Sequence, residues 1–432
     1  MMFAMFWKLP NSIRSSKFTK SKFRKPELLY PPERFPAYQL LKVLYKRQAD
    51  MMSFSREQWE ELKEWSYLKS MISKLVTNDK LSAISVQAFC ETSSPVLQLG
   101  RQRQDAELND DSLFLIASLT KPVVATAILK LVELGKLSLN QRLSEILPEW
   151  NRGEKRRITI RQLLCHASGL PDQLPENLEL RDQQATLDEF YQRVIDVSLD
   201  YPPGTSSRYQ SMGYLVLGKV VETLTGVSLE EFIHLQIFIP LGMNNSFLGI
   251  PASANSTALL NRVVDVDLPE EQLELTGNWN SVYWRSLGAP WGGMLSTSAD
   301  MLKFCVEMIK IQRGAGTILS SASFKEACQP QLVYFEQMSE REKNYRNWGL
   351  GWRHNWKAHP ETFGDTLPEN VIGHWGATGC LMWIDLDTNS AAVICTTKPS
   401  SQSRVKLVQL SNMVHTVVQA SCCKYRSSQS GN

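Results

Sequence analysis

The chain reads as an α/β protein, with one antiparallel sheet built from both ends of the sequence, helices flanking it, and a helical subdomain inserted at about residues 137–285. Three observations point there. Short apolar runs bounded by turn residues cluster at 82–101 and again at 347–396. The stretch between them carries helical periodicity and helix caps instead. Apolar stripes at helical spacing, 55–76 and 404–420, bracket the two strand clusters.

Taken in order, residues 1–26 hold seven Lys or Arg and no acid. The short apolar Met1–Trp7 precedes this basic stretch, the reverse of a secretory signal. Three readings stand: a disordered basic tail, an organellar targeting segment, or an extension upstream of a start at Met51 or Met52. The tail is the reading adopted, because the segment has little apolar surface to bury. Residues 1–54 are thus expected to form an extension, 55–423 the folded domain, and 424–432 a C-terminal tail. A cytoplasmic location is expected.

Trp59, Leu62, Trp65, Leu68, Ile72 and Leu75 make the first helix core-facing. Ser82–Cys90 and Pro95–Arg101 read as strands of a hairpin turning through Glu91–Ser94. Residues 118–134 form the clearest helix: Val123, Val124, Ile128, Leu131 and Val132 are apolar on several sides, Pro122 falls in the first turn, and Gly135 suits the C-cap. Thr159–His166 is a further helix, ended by Ser168-Gly169 and Pro171. Thr186 with Glu189, and Ser228 with Glu231, are capping-box patterns that open two more, and Met212–Leu224 lies between them. In the last third, Asn347–Trp352, Val371–Trp375, Cys380–Leu386 and Ala391–Thr396 are strand candidates. Val405, Val408, Met413 and Val417 then mark the closing helix.

The 432 residues are 43% hydrophobic and 21% charged, ample for a large core. A net charge of +3 supplies no field that would draw nucleic acid. No apolar run reaches the roughly 18 residues of a membrane span, so a soluble protein is expected. Eight scattered cysteines without a C-x-x-C pattern read as reduced, mostly buried thiols. Six histidines show no ligand spacing, so no metal and no organic cofactor are expected.

Four Ser-x-x-Lys pairs occur: Ser66/Lys69, Ser118/Lys121, Ser403/Lys406 and Ser421/Lys424. Only the second opens a helix whose following turns are almost wholly apolar. Spacing of i, i+3 puts both side chains on one face. A lysine at a buried helix start loses hydration, its pKa falls, and the neutral amine can take the serine proton.

Leu115–Pro122, LIASLTKP, resembles the nucleophile segment of the serine β-lactamase and penicillin-binding-protein superfamily, and is most similar to its class C β-lactamase-like group, which includes esterases and D-amino-acid peptidases. Further segments resemble that group in order: Ile158–Pro171 (ITIRQLLCHASGLP), Pro203-Gly204-Thr205 with Tyr209 and Gly213-Tyr214, Trp291–Thr297 (WGGMLST), Trp348–Trp352 (WGLGW) and Gly373–Gly379 (GHWGATG). The resemblance spans about residues 58–420 and implies a β-lactamase-like sandwich.

It also implies roles. Ser118 would attack the substrate carbonyl, Lys121 would be the base or help lower the barrier to proton transfer, and Tyr209 would shuttle protons between Ser118, Lys121 and the leaving group. His374 and Gly376 match the ends of an H-x-G triplet; the imidazole would donate a hydrogen bond to the acyl group or Tyr209, and Gly376 would let the substrate approach the backbone. The N–H groups of Ser118 and Ala377 would form the oxyanion hole. His166, in another matched segment, reads as structural. The third position of the family's Y-x-N motif is Ser211 rather than asparagine. Its hydroxyl offers substrate a single donor in place of an amide, which favours a carboxylesterase over a β-lactamase or D-alanyl peptidase. A catalytically silent binding protein of the same fold is the alternative of another class. The partner expected is a small ester, amide or peptide-like molecule.

Overall fold

The central sheet begins where the two ends of the described chain meet. Strand β1 (Ala83–Cys90) runs antiparallel to β11 (Ser390–Thr396), with Ile84 opposite Thr396 and Cys90 opposite Ser390. From there the sheet extends one way through β3 (Leu97–Arg103) and β4 (Ala106–Glu107). It extends the other way through β10 (Cys380–Asp385), β9 (Ile372–Gly376) and β8 (Arg353–His354), while β2 (Thr92–Ser93) edges β1. This computed structural model describes residues 56–430 apart from 79–80, 104–105, 254 and 346. The N-terminal extension expected over 1–54 lies outside the described residues.

Because side chains alternate along a strand, each sheet face has its own core. Ile84, Val86, Leu381, Trp383, Ala392 and Ile394 point to one. There they meet Trp65, Leu68 and Ile72 of α1 (Lys63–Thr77) and Leu407, Leu410 and Val414 of α8 (Ser400–Ser430). Both helices foreseen as flanking the sheet therefore cover the same face. Met382, Ile384, Ala391 and Val393 point the other way, onto Met301, Cys305 and Met308 of α7 (Ser298–Gln312), a helix missed in the sequence. Thr297 caps it by accepting from the Asp300 N–H.

Three expectations need correction. Residues 347–352 are not a strand. Gly351 has φ +79°, and a Cβ there would lie 2.3 Å from the Ala125 methyl, so this apolar stretch threads tightly between neighbours rather than extending. The closing helix runs from Ser400 to Ser430, well past 420 and into the stretch set apart as a tail. The cysteines are not all reduced: Cys90 at the end of β1 and Cys422 in α8 form a disulfide, their Cα atoms 5.8 Å apart.

A second, three-stranded sheet leads into the turn that bears Ser118. Strand β5 (Phe114–Leu115) pairs with β7 (Met294–Ser296), which pairs with β6 (Phe247–Leu248). Helix α2 (Thr120–Glu133) follows β5 through a turn of 3₁₀ helix at Ala117–Leu119 and is buried on nearly every side. Among the described residues no single helix is long and apolar enough to cross a membrane.

Candidate active site

Ser118 sits in the 3₁₀ turn, directly after Ala117, whose φ of +48° is unusual for a residue with a side chain. Two strands fix this turn. The Ile116 N–H donates to the Met294 carbonyl at 3.0 Å, and the Thr120 hydroxyl donates to the Ala117 carbonyl at 2.6 Å. On the other side, β9 comes so close that a Cβ on Gly376 would lie 2.5 Å from the Ile116 carbonyl. The space freed by Gly376 is thus taken by the nucleophile segment, not by an approaching substrate as its motif suggested.

Lys121, one turn into α2, is completely buried. Its Nζ lies 3.1 Å from Ser118 Oγ, 2.8 Å from the Trp291 carbonyl and 3.3 Å from Ser211 Oγ. The rings of Tyr209 and Tyr214 cover it at 4.6 and 5.6 Å to their centroids. Loss of water lowers its pKa to about 7, against an opposing pull from the Asp172 carboxylate. The neutral amine is then accessible at neutral pH.

Tyr209 shares a hydrogen bond with Ser118. Burial, followed by the Asp172 charge, pushes its phenol well above the ordinary range. It therefore keeps its proton and is suited to give one up to a leaving group, leaving the base role to Lys121. The segment bearing it is held by the stretch Gln162–Asp172. The Gln210 N–H donates to His166 Nδ1 at 3.2 Å, Tyr201 donates to the His166 carbonyl at 3.0 Å, and Tyr214 donates to the Leu164 carbonyl at 2.9 Å. His166 packs edge-on against Trp348 and beside Tyr209, and burial keeps it neutral. It holds the loop, as read from the sequence.

His374, on β9, also lines the cavity, and burial reinforced by Lys121 holds its pKa well below normal. Its Nδ1 lies 2.7 Å from the Trp375 carbonyl. A carbonyl only accepts, so Nδ1 carries the proton and Nε2 bears a lone pair. Nε2 has no partner among the described residues. The donor role expected for His374 is reversed: it can accept from Tyr209 or from a substrate N–H or O–H. Ala377 lines the same cavity as Ser118, and its carbonyl is tied to the Ser400 N–H at 2.9 Å, which steadies the turn.

Ser211 departs from expectation. It is buried and does not line the cavity. Its hydroxyl donates to Asp172 Oδ1 at 2.6 Å and faces Lys121. With its one proton committed, it is a partner of the lysine and not a contact for substrate. Asp172 and the Trp291 carbonyl were missed in the sequence, although each lies in or next to a matched segment.

The cavity, about 250 Å³, is walled by Trp348, Trp356 and Trp375, with Arg353, Glu361 and Arg404 adding charge. Glu361 pairs with Arg353 at 3.6 Å and with Arg404 at 3.5 Å. Four of the lining residues, Trp348, Arg353, Trp356 and Glu361, come from one stretch of chain just before β9.

The family model described as Beta-lactamase matches residues 87–410. The chain is similar to penicillin-binding protein 4 of Amycolatopsis lactamdurans, with 28% identity over 292 residues, 67% of this chain and 71% of that one. A penicillin-binding protein homologue from Caulobacter crescentus superposes with a TM-score of 0.67 at 17% identity, covering 82% of this chain and 98% of that one. EstCE1, described as a hydrolase with promiscuous acyltransferase activity, superposes at 0.66 with 18% identity and the same coverage.

Proposed function

The chain belongs to the β-lactamase family and is a serine hydrolase of the superfamily that also holds the penicillin-binding proteins, and on that premise we propose that it cleaves carboxylic esters through an acyl-enzyme on Ser118. One observation carries this: the buried amine of Lys121, its pKa lowered to about 7, stands 3.1 Å from Ser118 Oγ. The amine takes the hydroxyl proton as Oγ attacks the substrate carbonyl. The N–H groups of Ser118 and Ala377 receive the oxyanion, a contribution of about a hundredfold or more per donor. Tyr209 passes a proton to the departing alkoxide and recovers it by way of Lys121. Water then releases the acid by the same steps in reverse.

The ester preference draws on Ser211. A hydroxyl committed to Asp172 leaves no side-chain amide to steady a substrate amide, and an alkoxide leaves more readily than an amine. EstCE1, a hydrolase with promiscuous acyltransferase activity, shares this fold, in keeping with this reading. A D-alanyl peptidase is the second reading, favoured by the two guanidinium groups on the cavity wall, Arg353 and Arg404, which suit a substrate carboxylate. A fluorophosphonate probe tests the core of the proposal: one adduct on Ser118, absent in Ser118→Ala. Turnover of p-nitrophenyl butyrate without turnover of nitrocefin or a D-alanyl-D-alanine peptide supports the esterase; the opposite pattern overturns it.

A further inference from the structure

The nitrogen of Lys121 has three neighbours besides its own Cε: Trp291 O, Ser211 Oγ and Ser118 Oγ. A neutral amine fills those directions with two N–H bonds and one lone pair. The carbonyl of Trp291 only accepts, so one N–H is fixed there. The second depends on Ser211, whose hydroxyl either accepts from the amine or donates to it. Asp172 decides which. Its carboxylate also only accepts, and at 2.6 Å it takes the Ser211 proton. Ser211 then presents Lys121 with lone pairs alone and must receive the second N–H. The third direction, toward Ser118, is left to the amine lone pair. Donation runs one way along the chain, from Ser118 to Lys121 to Ser211 to Asp172.

We propose that Asp172 is a positioning residue, which fixes the sense of hydrogen bonding through Ser211 so that the Lys121 lone pair faces the Ser118 proton. This rests on the reading of Lys121 as the base. The backbone supports it, because the Ser211 N–H also donates to the Asp172 carbonyl at 3.2 Å, holding the two residues together at two points. It also accounts for serine at this position. Asparagine in its place would carry its own carbonyl oxygen and present Lys121 with an acceptor unaided, whereas a hydroxyl needs a neighbour to orient it. The other groups around Lys121 are His166, His374, Tyr209 and Tyr214, all held neutral by burial, so Asp172 is the charge against which the lysine titrates.

The test is the second-order rate of Ser118 labelling by a fluorophosphonate, followed across pH in full-length protein, with thermal melting as the check on folding. Asp172→Ala removes the acceptor and slows labelling by about tenfold or more, the range for losing a hydrogen bond to a charged group. Asp172→Asn keeps an oxygen but loses the charge, and its acid limb moves to lower pH. In a Ser211→Asn background, Asp172→Ala changes the rate by less than about threefold, because coupling through the serine is gone. Labelling of Asp172→Ala at the unaltered rate overturns the proposal, and so does the same loss in both backgrounds. If Asp172→Ala does not fold, an unmoved pH limb in Asp172→Asn overturns it. If instead Lys121→Ala labels as fast as the unaltered protein, the reading of the base itself fails.

Discussion

Burial takes the Lys121 ammonium out of water, and the amine responds by holding its proton less tightly, down to about pH 7. The sign of the pH dependence follows. The base works when neutral, so kcat/KM on p-nitrophenyl butyrate should rise with pH through about 7 and level off above it. A rate that falls across that limb would contradict the assignment. Lys121→Ala should lose several powers of ten in kcat with the protein still folded, since general-base catalysis alone accounts for about 10²–10⁴. Gly376→Ala sets a Cβ against the Ile116 carbonyl and should displace the nucleophile turn, lowering kcat more than it raises KM. At this scale the sequence was informative where a residue sits in a motif. Ser118, Lys121, Tyr209 and His374 were named and are gathered at one site, three of them on the cavity wall and Lys121 just behind it. Asp172 and the Trp291 carbonyl were not named, because a lone aspartate after a proline and a backbone oxygen carry no pattern. The roles of His374, Gly376 and Ser211 were misread for a common reason: each depends on which neighbour takes its proton or its space, and no spacing in the sequence encodes that.

Elements were legible in proportion to how much their own periodicity decides. Thr186 and Glu189 make the reciprocal bonds their spacing implies, while Ser228 caps its helix by accepting from the Glu231 N–H. Ser390–Thr396 and Cys380–Asp385 were found, buried on both faces. Trp348–Trp352 looked like a strand because it is apolar, yet its glycines serve close packing. Helix α7 escaped notice because it is buried against the sheet, with little of the polar stripe that would mark it. The pairing of Cys90 with Cys422 links elements 332 residues apart, and nothing local announces it. Cross-links closing long loops stabilise by about 2–5 kcal/mol. Cys422→Ser, or reduction with dithiothreitol, should therefore lower the melting temperature by several degrees while leaving Ser118 labelling in the surviving fold near its normal rate. An unchanged melting temperature in reductant would show that the clasp contributes nothing.

For the whole molecule, the division into a strand-rich rim and a helical middle was readable, and with it the idea of a sheet made from both ends. What could not be read was the layering: two helices on one face, α7 on the other, and a small second sheet leading into the turn that bears Ser118. Contacts far apart in sequence decide such matters. A chain ending at Asp385 would lose β11 and α8, and with them the strand that joins β1 to β10. It should be recovered insoluble or unfolded, with no Ser118 adduct, even though Ser118, Lys121, Tyr209 and His374 are all present.

The β1–β11 pairing also has a consequence in time. On the ribosome, β1 emerges long before its partner, since Cys90 pairs with Ser390. Through that interval β1 has an open edge on the side where β11 will lie, and for most of it the turn around Ala377 does not yet exist to face Ser118. The nascent chain is thus expected to be catalytically mute until β11 arrives, and in the interval the apolar edge of β1 is the part most in need of a chaperone.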